Sequence, residues 1–598
     1  MGVHKIPEQP SLSCGQRGSP RRSTGPRSAA SIVSEPAPPA PEDLDSQSLT
    51  QRIMEATEGR DSQTGGAGGA VSYAALKRAD QNWARIRTMK TGREAGPAPE
   101  TVKERRGSWR DVGTSGQENL GVYDVVVCGG TLGVFLATAL QLRGKRVAIV
   151  ERGVLMGRAQ EWNISKQEMQ SLVEMGVLTQ EEVEDSISIE FNPGRCGFYN
   201  GTQILVNDVL NLGVSPAKLI ESAKRRFVER GGVLLEKTGL ENVDVFADGA
   251  VLNLGEKKLV AKLVIDAMGH ASPIVRQLRW GRKPDGVCLV VGACARGFPE
   301  ETNTGGDVIL TNAPATRKGR SPLQYFWEAF PAGSGPGDRT TYMFTYLDAH
   351  PDRPSLESLL EDYWQLMPKY QGVKLENLEF LRVLFGCFPT YRSSPLQPGF
   401  DRVLQIGDAS GIQSPLSFGG FGAITRHIGR LTDGISDALD ADLLKKRDLA
   451  LLNPYQPNLS GAWLLQKSMS YEVGSNPPPN FINELLSVNF GCMQRLGEPI
   501  LRPFLQDVTQ FVPLALTMGA MMVTRPLLLP TILRQVGLIP LVDWLRHFVG
   551  LAVYSLAHKL FAPLVRWLLP RLSLAQRYRW KRRLEAWEYG SGLDYRLH

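Results

Sequence analysis

The 598-residue chain has few of the features that mark metal, disulfide or nucleic-acid chemistry. Its seven cysteines, at 14, 128, 196, 288, 294, 387 and 492, are odd in number and scattered. They form no CxxC pair and no Cys/His ligand spacing, which excludes a disulfide framework and a zinc site from the expected readings. A net charge of +7 is small for this length, and no compact Lys/Arg run with interleaved aromatics appears before the last fifty residues. Nucleic acid is therefore not the expected partner. No uninterrupted apolar run reaches the ~18–20 residues that cross a bilayer. Acid is scarce at the start: within residues 1–34 only Glu8 stands against Lys5, Arg17, Arg21, Arg22 and Arg27. The same stretch lacks the apolar core of a secretory signal, so its composition predicts an organelle transit peptide, plastid or mitochondrial.

Residues 1–120 are rich in Ser, Pro, Gly and Arg ("RGSPRRSTGPRSAASIVSEPAPPAPE", "GGAGGA") and are expected to be a disordered targeting segment and linker. Within them, "SYAALKRADQNWARIRTM" has the spacing of an amphipathic helix docked on the body. From 121 to 440, strand-like runs (VVVCG, RVAIVE, LVIDAM, CLVVGA, YMFTYL, RVLQIG) alternate with helical patterns such as "SPAKLIESAKRRFVERGG". The fold class predicted is α/β: a Rossmann-like nucleotide-binding domain with an inserted sheet at about 285–390. Residues 441–598 are expected to form a helical, apolar C-terminal region. Arg525, Arg534, Asp543, Arg546 and Lys559 there interrupt apolar stripes carrying Trp544, Phe548, Tyr554, Phe561 and Trp567. Such helices lie in a membrane interface or cover an apolar partner; the other reading is a helical subdomain packed on the body. The tail "RYRWKRRLEAWEYG" adds basic and aromatic residues that match an anionic lipid surface.

The motif that carries most chemistry is "YDVVVCGGTLGVFLATALQLRGKRVAIVERG", Tyr123 to Gly153. A strand, a Gly-rich turn, a helix, a second strand and an acid follow in the order of a dinucleotide-binding fingerprint. Gly130 and Gly133 take its second and third glycine positions, and Gly129 lies beside them. Cys128 takes the first, where a β-carbon is expected to strain the turn by about 1 kcal/mol. Glu151 ends the second strand, placed for the hydroxyls of an adenosine ribose rather than for a 2′-phosphate. Two later stretches separate flavin from nicotinamide. "KLVIDAMGHASPIVRQL" carries Asp266 and Gly269, and "DRVLQIGDASGIQSPLSFGGFGAITRHIGRL" carries Gly407 and Asp408 and then Gly419 and Gly420 at a helix start. A strand-end carboxylate can bond a ribityl hydroxyl, and a bare helix N-terminus can face the pyrophosphate or the flavin edge.

The order GGxxG…E, DAxGxxSxxxR, GDxxGxxxPxxxGG resembles the FAD-dependent group of aromatic hydroxylases, geranylgeranyl reductases and lycopene cyclases, over about residues 120–475. The stretches "GRAQEWNIS", "FGCFPTYRSSPLQPGFDRVLQIGDASGIQSPLSFGGFGAITRH" and "LLNPYQPNLSGAWLLQKSMS" are most similar to the CruA/CruP-type lycopene cyclases of photosynthetic bacteria and plastids, CruP above CruA. The resemblance implies FAD, with NAD(P)H as an optional reductant, and Arg152 and Arg158 near the cofactor. It further implies the 285–390 sheet as a roof over the flavin, a polyene or other lipid substrate, and a chloroplast thylakoid or envelope membrane. Cyclases of this kind take a proton from an acidic strand. In "TYMFTYLD" Phe344 and Thr345 fall where those acids would stand, which leaves Glu328 and Asp348 as candidate acids. Asp348 as a helix cap and Glu328 as an ordinary sheet residue are the structural alternatives. His270, His427 and a buried, inert Cys128 are read as packing or supporting groups. Three functions stay open: chemistry on carotenoids, cyclising or redox; an NAD(P)H-dependent flavin monooxygenase or prenyl reductase; and a protective protein that holds carotenoid or flavin with little turnover.

Overall fold

The computed structural model describes residues 47–58, 72–111 and 117–595, and Ser48–His598 form one compact unit. The region expected to act in targeting, residues 1–34, lies outside the described residues.

The apolar runs of the fingerprint become a parallel sheet. Glu118–Cys128 lies between Val147–Val150 and Lys257–Asp266, and Val403–Gln405 joins beyond the latter. Val125, Val126 and Val127 are fully buried, as are Leu263, Val264 and Ile265. Unbroken apolar strands of this kind are stable only with both faces covered. One cover is the helix Gly133–Leu142, packed with Pro216–Glu229 and Gly420–Asp440 into the largest core cluster. Cys128, Val150, Asp266 and Gln405 stand in register, so four strands end along one line.

A second, seven-stranded sheet rises over that line. Its strands run Glu379–Thr390, Gly286–Arg296, Asp338–Leu347, Phe326–Pro331, Gly306–Leu310, Gly194–Gly197, Gln203–Val206, so two strands from 194–206 extend the sheet expected at 285–390. Its outer face is covered by Leu356–Gln371 and by two N-terminal helices, Leu49–Thr57 and Tyr73–Thr88.

Tyr73–Thr88 is the amphipathic helix expected to dock on the body, while Leu49–Thr57 and the strand Val102–Glu104 correct the expectation of disorder for the rest of the segment up to residue 120. The fingerprintless N-terminal segment has few apolar residues, but three of them, Met54, Leu76 and Trp83, are fully buried against the sheet. Polar groups fix the join. The Asp80 carboxylate accepts from the backbone N–H groups of Leu356 (2.6 Å) and Glu357 (3.2 Å), supplementing the Ser355 cap. The Trp83 indole donates to the Pro354 carbonyl, and the Trp364 indole to the Thr50 hydroxyl. Further along, Val102–Glu104 adds a strand to the edge of the first sheet.

The C-terminal region is helical, as expected. Leu538–Leu568 runs for 31 residues, carrying on through Pro563, and with the turn that follows it is long and apolar enough to cross a membrane by length and composition. This differs from the broken apolar run read in the sequence, because Asp543, Arg546 and Lys559 are spaced within one continuous helix rather than ending it. Its inner face buries Trp544, Leu551, Ala562 and Val565. Its outer face exposes Leu538, Val542, Leu545, Val549, Val553, Leu556, Leu560, Leu564 and Trp567, one stripe at intervals of three and four residues. The basic tail behaves otherwise than expected. In Leu574–Gly590 the Arg582 guanidinium is buried between Glu585 and Asp437, and the Tyr578 hydroxyl donates to the Asp448 carbonyl, so this helix faces the body.

Trp83→Ala should lower stability by about 3–5 kcal/mol in chemical denaturation, the usual cost of emptying a buried indole site; a loss below about 1 kcal/mol would mean that the N-terminal helices do not cover the sheet.

Candidate functional site

The line of strand ends opens into a cleft of about 1210 Å³ that continues under the second sheet. Small-ligand sites span roughly 300–1,000 Å³, so this one has room for a dinucleotide with a second molecule beside it.

At one end lies the Gly-rich turn. Gly129 has φ +97°, and a β-carbon there would stand 2.6 Å from the Ala267 carbonyl oxygen. At Gly130 it would stand 2.6 Å from Leu155 Cδ1, and at Gly133 2.8 Å from Val127 Cγ1. The left-handed residue is thus Gly129. Cys128 is the last residue of its strand, in register with Val150 and Asp266 and absent from the positive-φ positions, so the expected strain at Cys128 does not arise. Burial raises its thiol pKa, in keeping with an inert residue.

Glu151, half-buried at the end of the next strand, accepts from the Gly130 N–H at 2.8 Å and the Gly153 N–H at 3.0 Å. It thereby fixes the turn and faces the cleft, with Arg152 exposed at the mouth. Arg158 lines the cleft deeper in, its Nε donating to the Gln160 carbonyl at 3.1 Å. Asp266 requires a correction: it is buried behind the cleft wall and does not face the cavity. Its carboxylate accepts from the Met268 N–H (3.1 Å) and the Ser272 hydroxyl (2.6 Å), which shapes the turn that presents Gly269. Burial lifts Asp266 to about 6.

Gly407 (φ +53°) turns the chain so that Asp408 enters the cleft. Burial raises the Asp408 pKa, and its Oδ1 has no hydrogen-bond partner. A β-carbon on Gly420 would stand 2.5 Å from that same oxygen. Gly419 and Gly420 open the helix Gly420–Asp440, whose N-terminus points into the cleft with no side-chain cap. An unpartnered buried carboxylate oxygen beside an uncapped helix start is what a polyhydroxylated, anionic cofactor would complete. The residues present therefore fit FAD: Gly129 and Gly130 for close approach of the pyrophosphate, Gly133 for the close packing of helix on strand behind them, Glu151 for ribose hydroxyls, Asp408 for a ribityl hydroxyl, and Gly419–Gly420 for the ring edge.

The other end is aromatic. Cross-strand pairing puts Cys288, Val290, Glu328, Tyr342, Phe344, Gly386 and Phe388 on the cleft face of the second sheet. Phe326 and Phe344 stack with centroids 5.4 Å apart, and Phe388 lies 5.4 Å from Phe418 across the cavity edge. Glu328, directly opposite Tyr342, is the acid of this wall. Desolvation raises it to about 8, with the neighbouring Asp507 adding to the shift, so Glu328 holds a proton at neutral pH.

Asp348, the other candidate acid, stands outside the cleft, where it accepts from the buried Arg353 at 2.7 Å; nor does it cap the next helix, since Ser355 does. His270 sits behind Asp408, its Nε2 3.1 Å from Gln413 Nε2. His427 borders the cleft, but its Nδ1 accepts from Arg430 Nε at 2.8 Å and burial lowers its pKa, which leaves it a neutral packing group.

Three further acids line the cleft, Glu161, Glu168 and Asp507, and Glu161, raised by burial, accepts from the Gly333 N–H at 2.8 Å. Glu168 is raised by burial to about 7, and its carboxylate accepts from the Ser165 N–H at 3.0 Å in a capping box. The S-x-x-E spacing marks that cap in the sequence but not that it faces a cavity. Asp507, also raised by burial, accepts from the Ser417 hydroxyl; it comes from a left-handed residue (φ +60°) between C-terminal helices, and no sequence pattern marks it.

No family model and no curated protein matches the chain. Among solved structures it is similar in shape to a geranylgeranyl bacteriochlorophyll reductase-like protein of Thermoplasma acidophilum (14% identity, TM-score 0.49, covering 69% of this chain and 98% of that one). It is also similar to the OxyS anhydrotetracycline hydroxylase of Streptomyces rimosus (17%, 0.44, 65% and 76%) and to the halogenase PltM in complex with phloroglucinol and FAD (13%, 0.47, 79% and 98%). At such identities these likenesses assign no chemistry, which rests on the residues of the cleft.

A carboxyl group whose pKa rises from 4.5 to about 8 on folding leaves stability intact below pH ~4.5 and removes it as pH climbs through 8. Glu328→Gln should therefore flatten the fall in thermal stability between pH 5 and 8.5. An unchanged pH slope would show that Glu328 ionises in the ordinary carboxylate range.

Proposed function

We propose that the protein is an FAD-dependent, membrane-surface enzyme acting on carotenoid or related polyene isoprenoids, with Glu328 as its proton donor. The observation that carries this reading is a carboxyl group, Glu328, buried in an aromatic wall that raises its pKa, within a cleft that also fits FAD. FAD, bound in its reduced form, would supply an electron-rich ring next to the substrate. The chain's own groups do the rest. An apolar roof takes up a polyene by burial, since each apolar Å² removed from water stabilises the complex by about 25 cal/mol. Glu328 delivers its proton to a terminal C=C bond, a new C–C bond closes the ring, and loss of a ring proton back to the Glu328 carboxylate ends a redox-neutral cycle. The faces of Tyr342 and Phe344 lie on the same side of the sheet as that acid and offer π density to developing positive charge.

The exposed stripe of Leu538–Leu568 supports a membrane as partner. Monomeric soluble proteins rarely show contiguous apolar patches beyond a few hundred Å². Here Val542, Leu545, Val549, Val553 and Leu556 follow one another on a single face, and Val523, Leu527 and Ile539 add exposed side chains nearby in sequence. A helix so disposed lies along the interface with its inner face on the protein. For the compartment, we read a plastid membrane from the basic, acid-poor composition of residues 1–34 together with the polyene substrate.

Incubation of the protein anaerobically with lycopene in liposomes and dithionite-reduced FAD should give ringed product, and Glu328→Gln should slow it by about 10²–10⁴-fold, the span of general-acid catalysis. No ringed product from native protein with flavin bound would overturn the cyclase reading, and substrate-stimulated NADPH oxidation in its place would favour a monooxygenase or reductase. Separately, the triple substitution Val549→Glu, Val553→Glu and Leu556→Glu should release the protein from liposomes in a flotation assay; retained binding would remove the stripe as the membrane contact.

A further inference from the structure

Beside the cleft, under the loop that carries Asp408, lies a separate cavity of about 40 Å³ bordered by His270, Arg279, Tyr391, Ser394, Gln413 and Ser460. Arg279 is 8% exposed. Its guanidinium lies flat on the Tyr391 ring, 3.6 Å from the centroid. Stacking occupies one face of the guanidinium and leaves its five in-plane N–H donors unused. Among the described residues no acceptor takes a hydrogen bond from them, and the carboxylate that acts on Arg279 from nearby, Asp285, is itself bound to Arg392 through its backbone N–H (2.9 Å) and Nε (3.2 Å). Asp408 also borders the cavity but couples to His270 rather than to Arg279. The Thr390 hydroxyl is committed to Gln466, whereas Ser394 and Ser460 line the cavity and carry further hydroxyl donors. Burial without an acceptor lowers the Arg279 pKa to about 10, the mark of a cation that its surroundings leave uncompensated.

We propose that this cavity is a binding site for a small monovalent anion, held in the plane of the Arg279 guanidinium and by the hydroxyls of Ser394 and Ser460. The space sets the class. One water needs about 10–15 Å³ measured in the same way, so the cavity admits a halide or a planar ion of a few atoms such as bicarbonate. The fork of N–H groups matches two acceptor atoms side by side, and a halide meets the same donors at one point. The site stands apart from the FAD reading, because none of its donors belongs to the groups proposed to hold the dinucleotide.

The full chain would be titrated with sodium chloride, bromide and bicarbonate against gluconate at constant ionic strength, with the thermal midpoint as readout. Crystals grown in bromide would be examined by anomalous diffraction. The expected result is a saturable rise in midpoint with the small anions, a bromide peak within hydrogen-bond distance of Arg279, and about tenfold or weaker binding in Arg279→Gln. A larger effect of bicarbonate than of halides would assign the planar ion, and the reverse order a halide. Equal midpoints in bromide and gluconate for the native protein, or bromide peaks at surface positions alone and so an adventitious ion only, would overturn the proposal. That comparison uses native protein and holds even where Arg279→Gln fails to fold.

Discussion

Everything in the cleft depends on four parallel strands ending in register. Because Cys128, Val150, Asp266 and Gln405 lie on one line, the loops that follow them emerge side by side, and groups from distant parts of the sequence meet without long excursions. The close approach this requires is borne by glycine. Gly129 passes so near the Ala267 carbonyl, and Gly420 so near Asp408, that any side chain would push the loops apart. Asp266 works from behind, trading exposure for two hydrogen bonds that hold its turn. The constraint is steric first and electrostatic second, and it explains why acids at neighbouring strand ends, Asp266 and Asp408, end up with different duties.

The parts of this arrangement governed by short-range rules were legible in the sequence. A strand, a glycine turn and a helix can be read locally, so Gly129, Gly130, Glu151, Gly269, Gly407, Asp408, Gly419 and Gly420 fall at the cleft as expected, with Gly133 behind them against Val127. What failed was set by partners that the local pattern does not name. Strain assigned to Cys128 assumed that the turn began there, whereas cross-strand pairing keeps it in the sheet and moves the turn to Gly129. Asp348 was a plausible acid by proximity to the hairpin, but Arg353 claims it. Glu328 was ambiguous because strand parity alone does not say which face is covered; the pairing with Tyr342 decides it. Asp507 had no local signature at all, since its place follows from how the C-terminal helices dock.

The cleft joins two electrostatic regimes. Its glycine end offers N–H groups and one orphaned carboxylate oxygen, an environment that rewards a polar, anionic ligand. Its roof end is dry, and there Glu328 keeps its proton because ionisation would leave charge among Phe326, Phe330 and Phe344 without a cation to meet it. Arg158, a cation that lines the cleft, acts on Tyr342 instead. The C-terminal helices belong to both worlds, contributing Asp507 inward and an apolar stripe outward.

The N-terminal clasp on the roof sheet limits how far the chain can be shortened from that side. Thr50 is bonded to Glu361, Asp80 caps the helix that begins at Leu356, and Trp83 fills the space between that helix and the sheet. Removal of the chain through Trp83 would strip the back of the very sheet whose front lines the cleft, leaving the Trp364 indole without the Thr50 hydroxyl that accepts from it and the apolar face of the sheet open to water. A segment that looks dispensable in composition thus forms the outer wall of the site.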